Sequence, residues 1–213
     1  MDSPAPDLEA SYDRVAEEYA SQFHNEMEHK PFDRKMLDRL IEKVDCLGPI
    51  CDLGCGPGQI ARYLQGRGAD VCGMDLSLEM VRCAQRLNPA IPFQQGNMLA
   101  LTNVSDHAFG GIAAFYSILH VPRPDVVRAL QELKRVLHPH GVLLLAFHIG
   151  HEVLRKDEWW GQTVSLDFIF YTTSEMKDYL REAGFELEEA VERDPYPEAE
   201  YQSRRAYLFA RKP

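Results

Sequence analysis

The period of the hydrophobic positions changes along the chain, and the changes mark its elements. Tyr12, Val15, Ala16, Tyr19 and Phe23 recur at helical spacing and predict an amphipathic helix over about 11–23. Met36, Leu37, Leu40, Ile41 and Val44 predict a second helix, ended near Gly48-Pro49. From residue 50 onward, short apolar runs alternate with amphipathic stretches. Strands are expected at 50–53, 71–75, 92–95, 111–116 and 142–147. Helices are expected at 58–65, at 77–87 with Ser77 as N-cap, and at 124–136 with proline in the first turn. His138-Pro139-His140-Gly141 reads as a turn. Thr172-x-x-Glu175 is a capping box for a helix to about Ala183, closed by Gly184. Two final strands, 185–191 and 206–210, are joined through Pro195-Tyr196-Pro197 without a helix and are expected to pair antiparallel. The residues up to about Asp7 read as disordered.

Alternating strands and helices imply parallel βαβ units with helices on both faces. The expected fold is a single doubly wound α/β domain over residues 1–213, mostly parallel, with an antiparallel C-terminal strand. In such sheets ligands bind beyond the carboxyl ends of the strands. Residues 148–171 make a long connection containing Trp159-Trp160, expected to fold over that site as a lid.

The strand at residue 50 runs into Asp52-Leu53-Gly54-Cys55-Gly56-Pro57-Gly58-Gln59-Ile60, a glycine-rich turn that opens a helix. Glycines allow a tight turn and a close ligand approach, and the helix start offers free N–H groups to an anionic group. A dinucleotide fingerprint, G-x-G-x-x-G, would need glycine at position 59, where Gln59 stands. The pattern is instead G-x-G-x-G with an acid two positions ahead. The next strand, Asp70-Val71-Cys72-Gly73-Met74-Asp75, also ends in an acid. On these motifs the chain resembles the class I S-adenosylmethionine-dependent methyltransferases, from about Tyr12 to the C-terminus.

That resemblance implies S-adenosylmethionine as cofactor and S-adenosylhomocysteine as product. The backbone of Gly54, Cys55, Gly56 and Gly58 would hold the amino-acid part, with Asp52 supporting its ammonium. Asp75 would accept hydrogen bonds from the ribose hydroxyls; its plainer reading is a helix-cap acid. Leu76 and Met80 would pack on adenine or belong to the core, and Phe115 joins the cofactor set. Asn97 stands where the family usually has aspartate; its side-chain carbonyl or the Met98 N–H would meet the adenine amino group. Tyr12 and Tyr19 share a helix face; related enzymes lay such a helix over the cofactor, where an aromatic face suits a sulfonium and a phenol a carboxylate. Residues 1–47 are therefore expected to cap the cofactor site. Lys30 or Arg34 either contacts the carboxylate or lies on a solvated face.

Methyl transfer is an in-line displacement, so positioning does most of the work. His120, after the fourth strand, is the candidate general base because an ordinary imidazole titrates near neutrality; the alternative is a structural histidine. His148 and His151 lack the further ligands a metal site needs, so no metal is expected. Trp159, Trp160, Phe168, Tyr171 and Tyr196 suit an apolar or aromatic acceptor or close the core. Arg204-Arg205 either binds an acidic acceptor or caps the last strand edge.

Composition narrows the partners. The net charge of −10 and a pI near 5.3 argue against a phosphate-backbone surface and an anionic membrane. No Asn/Asp-Pro-Pro-Tyr segment follows the fourth strand, which also disfavours a nucleic-acid acceptor. There is no transmembrane run and no secretory pattern at the N-terminus. The odd cysteine count, without C-x-x-C, points to reduced thiols and a cytoplasmic setting. The expected protein is an enzyme, monomeric or homodimeric, methylating O, N or S of a small molecule. The alternatives are a binding module without turnover and a nicotinamide-dependent oxidoreductase.

Overall fold

The computed structural model describes residues 7–197 and 200–213. The stretch before Asp7, read above as disordered, lies outside them. In chain order the elements are α1 (Leu8–Phe23), α2 (Pro31–Val44), β1 (Ile50–Leu53), α3 (Gln59–Gly66), β2 (Val71–Asp75), α4 (Leu78–Leu87), β3 (Phe93–Gln95), β4 (Phe109–Phe115), α5 (Val126–Val136) and β5 (Leu137–His148). Then follow β6 (Val153–Trp159), β7 (Gln162–Ile169), α6 (Thr173–Glu182), β8 (Glu186–Arg193) and β9 (Arg205–Arg211).

Seven strands form one sheet in the order β3-β2-β1-β4-β5-β9-β8. The five strands from β3 to β5 are parallel, and β9 runs antiparallel between β5 and β8. The chain winds outward from β1 to β3, then returns to lay β4 on the other side of β1. That reversal opens a crevice at the carboxyl ends of β1 and β4.

Both faces of the sheet are covered, which explains the continuous apolar runs of β4, β5 and β9. Successive residues point to opposite faces. Ile112, Leu143 and Leu145 pack with Leu130 and Leu133 of α5 and Met176 and Leu180 of α6. Ala113 and Leu144 face the other way, onto Met36 and Leu40 of α2 and Leu64 of α3. Each fully buried leucine contributes roughly 1.5–3 kcal/mol. No helix of the described residues is long and apolar enough to cross a membrane.

Three expectations need correction. First, α1 and α2 start ahead of their apolar patterns. Asp7 caps α1 by accepting the Ala10 N–H at 3.4 Å, and Pro31, whose fixed φ suits a first turn, opens α2. Second, the turn at 138–141 sits inside β5 as a bulge. Pairing with β4 jumps from Phe109↔Leu137 to Gly111↔Val142, with Pro139 unable to donate and His140 at φ 65°.

Third, the long connection 148–171 contains two strands that the periodicity did not predict. β6 and β7 form an antiparallel hairpin whose two-residue turn, Trp160-Gly161, has φ of 51° and 75°. Val164 and Leu166 of β7 are buried against Val15 of α1, with Tyr12, Trp159 and Phe168 packed around them. The Ser165 N–H donates to Ser11 Oγ at 2.8 Å. Helix α1 and the hairpin therefore form one continuous roof above the crevice.

Candidate functional site

Under that roof lies a cavity of about 590 Å³. Its floor at one end is the glycine turn. Gly54 and Gly56 adopt φ of 75° and 50°, a region costly for residues with a Cβ. A Cβ on Gly54 would lie 2.3 Å from Ser117 Cβ. The Gly54 and Cys55 N–H groups both donate to Met74 O, at 2.7 and 3.0 Å, tying the turn to β2.

Asp75, at the end of β2, accepts the Gly56 N–H on Oδ2 at 2.8 Å and the Ser77 N–H on Oδ1 at 2.9 Å. Burial pushes its pKa up to about 6, against the pull of these backbone donors. Each oxygen keeps a further lone pair. Ser77 is itself fixed: its Oγ accepts the Met80 N–H at 3.1 Å and donates to Asp13 of α1 at 2.5 Å. Leu76, Met80, Asn97, Met98 and Phe115 border the same end of the cavity. Asn97 Oδ1 accepts the Leu99 N–H at 2.9 Å, so one of its lone pairs closes its own turn.

Three residues grouped with this end stand behind the turn rather than on the cavity wall. Asp52 Oδ2 accepts the Ala61 N–H at 3.0 Å and props α3; burial pushes its pKa up to about 8. Cys55 is buried in the apolar cluster with Ile60 and Phe93, and burial raises its thiol. Gly58 lets Asn88 and Phe93 approach to where its Cβ would be, both at 2.8 Å.

The roof brings Tyr12, Tyr19 and His120 together. The Tyr19 ring lies 3.6 Å from the position of a Gly56 Cβ. His120 Nδ1 is 2.9 Å from the Asp167 carbonyl oxygen and Nε2 is 2.7 Å from Tyr12 Oη. A carbonyl only accepts, so Nδ1 carries the proton and Nε2 accepts from the tyrosine hydroxyl. Burial lowers the His120 pKa to about 4. The imidazole is therefore neutral, and its lone pair is already taken. That geometry disfavours the expected general base and joins α1, the segment after β4 and the hairpin through one ring.

The other end of the cavity lies over β4, β5 and β9; of its residues the sequence singled out Lys30, His148 and Arg205 but not Tyr116, Phe170 or Tyr201. Tyr116, directly after β4, has φ 53°, an uncommon backbone for a tyrosine. His148 and Arg205 are cross-strand partners on β5 and β9. Phe170 and Tyr201 complete an aromatic box with them. Lys30 also borders the cavity and is paired with Glu26 at 2.5 Å. Arg34 does not border it; it binds the Met27 and Glu28 carbonyls.

The aromatic residues of the hairpin region divide. Trp159 and Phe168 line the cavity, and Trp160 stacks on Trp159 at 4.6 Å. Tyr171 is wholly buried in the core and donates to the Val121 carbonyl. Tyr196 accepts the Phe32 N–H at 3.1 Å away from the cavity. His151 is exposed and does not converge with His148. Arg204 pairs with Glu192 and Asp194 at the strand edge, whereas Arg205 reaches the cavity.

A doubly wound sheet with a glycine turn after β1, an acid closing β2 and a roofed crevice at the switch point defines a nucleoside-cofactor-binding α/β protein. Residues 51–145 match the family model described as a methyltransferase domain. The chain is 32% identical over 139 residues to malonyl-[acyl-carrier protein] O-methyltransferase of Pseudescherichia vulneris, covering 63% of this chain and 50% of that protein. It is 26% identical over 148 residues to demethylmenaquinone methyltransferase of Renibacterium salmoninarum, covering 68% and 60%. The 1,6-didemethyltoxoflavin-N1-methyltransferase of Burkholderia thailandensis, solved with 1,6-didemethyltoxoflavin and S-adenosylhomocysteine, superposes with a TM-score of 0.68. It is 20% identical and matches across 100% of this chain and 93% of that one. Residues 51–145 are thus similar to a methyltransferase domain, and the fold is that of the methyltransferase structure on which the chain superposes. The chain spans about half the length of the curated relatives it matches.

Proposed function

We propose that the cavity binds S-adenosylmethionine and that the chain transfers its methyl group to an O, N or S atom of a small-molecule acceptor. The observation that carries this reading is Asp75. Two backbone donors hold its carboxylate at the end of β2, beside a glycine turn that leaves no Cβ in the way. That donor–acceptor set fits a ribose diol next to an amino-acid moiety. The volume of about 590 Å³ lies within the roughly 300–1000 Å³ usual for small-molecule sites.

When bound, the cofactor supplies a methyl group activated on a sulfonium. The chain's own residues bind and orient. Asp75 accepts from the ribose; Gly54 and Gly56 admit the amino-acid part; Leu76, Met80, Asn97 and Met98 enclose the base. Tyr12, Tyr19 and Phe115 wall the centre, and Asp52, from behind, holds the turn in register. His120 positions Tyr12. Helices α1 and α2, with the β6–β7 hairpin, exclude water from the crevice. The match of residues 51–145 to a methyltransferase domain and the similarity to an O-methyltransferase support transfer and leave the acceptor atom open.

Calorimetric titration with S-adenosylhomocysteine tests the reading, with NADH as control. Micromolar binding of the first and none of the second is expected. Binding of NADH alone, or of neither, overturns it.

A further inference from the structure

The end of the cavity away from Asp75 contains a buried guanidinium whose hydrogen-bonding capacity the described residues leave largely unused. Arg205 is only 3% exposed, yet borders the cavity. Its guanidinium has five N–H donors and, among the described residues, one hydrogen bond: Nη1 to the Ser203 carbonyl at 2.6 Å. The nearest carboxylate is Glu200, with Oε1 3.3 Å from Arg205 Nε. That approach is out of line for a hydrogen bond, and Nε stays an unsatisfied buried donor.

Glu200 is already committed. Both its oxygens accept from Arg193, at 2.7 and 2.8 Å, and Oε2 also accepts the Tyr196 N–H at 2.8 Å. Asp33 is likewise taken on Oδ1, by Arg193 Nη2 at 2.9 Å and by the Tyr207 hydroxyl. Burial raises the pKa of Asp33 and so weakens it as a counter-ion. Lys30, the other cation here, has Glu26. Among the described residues, Arg205 therefore shares Glu200 with Arg193 and has no carboxylate to itself. A buried donor left without a hydrogen bond is costly, which favours a ligand that supplies an acceptor.

The walls around this cation are aromatic. His148 stacks on Phe170 at 5.1 Å and 22°, and lies 5.1 Å from the Tyr116 ring and 5.9 Å from Tyr201. The Arg205 guanidinium sits 5.9 Å over Tyr116. His148 Nδ1 is held by Ser203 Oγ at 2.7 Å. Burial, then Arg205 and Lys30, lower its pKa to about 3 against the pull of Glu200, so the His148 ring is neutral.

We propose that this box is the acceptor subsite and that Arg205 receives an anionic oxygen group, carboxylate or phosphate, carried on an aromatic or flat apolar acceptor. The inference rests on the methyltransferase reading and narrows its substrate class. Arginine suits such groups because its planar fork matches them in two bonds. Tyr116, His148, Phe170 and Tyr201 would hold the ring of the same molecule.

Binding to the protein saturated with S-adenosylhomocysteine tests this, with benzoate, phenyl phosphate and neutral benzamide as probes. At least one of the two anions is expected to bind ten times more tightly than benzamide, and the tighter of them identifies the anionic group. Arg205→Gln removes the preference, Arg205→Lys retains part of it, and both leave affinity for S-adenosylhomocysteine within threefold. Equal binding of all three probes to the parent overturns the inference whether or not Arg205→Gln folds. So does a preference that survives in Arg205→Gln. Failure of S-adenosylhomocysteine itself to bind would instead strike the underlying methyltransferase reading.

Discussion

The two ends of the cavity are built from different materials. The Asp75 end is made largely of backbone: a glycine turn, two N–H groups on one carboxylate, and a helix start, all between residues 52 and 80. The Arg205 end is made of side chains that five separate stretches of chain bring together, from Lys30 to Arg205. Backbone geometry tolerates almost no substitution, because its constraint is steric. A side-chain box can be rebuilt residue by residue. The contrast implies that one end is generic to a cofactor and the other particular to an acceptor.

The largest expected effect is at Gly54. A Cβ there would collide with Ser117 Cβ at 2.3 Å on a backbone at φ 75°. Gly54→Ala is expected to cost about 1–3 kcal/mol in stability and to weaken S-adenosylhomocysteine binding at least a hundredfold. Tyr201→Ala, at the other end, is expected to leave that affinity within threefold. Thermal melting and calorimetry on the two variants check both statements. Equal losses would erase the distinction between the ends.

The same distinction decides what could be read in the sequence. The Asp75 end was legible because its parts are local: G-x-G-x-G follows one strand and an acid ends the next. Tyr12 and Tyr19 were also placed together, since helical spacing fixes which residues share a face, and the family resemblance set that face over the cofactor. Which parts of the motif face a ligand was not legible. Asp52, Cys55 and Gly58 belong to the pattern but serve α3 and the core, a distinction made by the packing of Ala61, Asn88 and Phe93. The hairpin was hidden because β6 carries Arg155-Lys156-Asp157-Glu158, a polar run with no buried residue and, among the described residues, no sheet neighbour but β7. Of the aromatic box, His148 and the neighbouring Arg205 were singled out in the sequence, but nothing local joined them to Tyr116, Phe170 and Tyr201. Tyr116 looks like the end of an ordinary strand, and only the antiparallel register of β5 and β9 sets Arg205 beside His148.

Asp75 allows a sharper test of the cofactor end. Asp75→Asn keeps the size but places an amide NH₂ against the Gly56 or Ser77 N–H, and a loss of at least tenfold in S-adenosylhomocysteine affinity is expected. The parent should also show a pH dependence. The ribose hydroxyls donate, so binding favours the ionised carboxylate, and affinity should fall as pH drops below about 6 and stay level above it. Stability of the ligand-free protein runs the other way. A carboxyl whose pKa is raised by folding holds its proton more tightly in the folded state, so its contribution is greatest at low pH and declines as pH rises through about 6. Calorimetry between pH 5 and 8 separates the two slopes, and the binding slope should vanish in Asp75→Asn. A slope that persists in the variant would assign it to another group.

The smallest expected effect lies where the two ends meet, at His120. If the imidazole only positions Tyr12, removing either partner removes the same interaction. His120→Ala and Tyr12→Phe should then each lower turnover several-fold on an acceptor found by labelled-methyl screening, and the double variant should lose no more than either alone. With the His120 pKa near 4, the parent's turnover should show no histidine inflection between pH 5 and 8. A general base predicts otherwise: a loss of roughly 10²–10⁴-fold in His120→Ala, little loss in Tyr12→Phe, and a turnover that falls with the protonation of the ring. If the anionic oxygen held by Arg205 is itself the group methylated, it has no proton for His120 to take. The fate of His120→Ala and the choice among benzoate, phenyl phosphate and benzamide should therefore agree: a large loss at His120 together with an anion preference at Arg205 would mean that the group bound by Arg205 is not the group methylated.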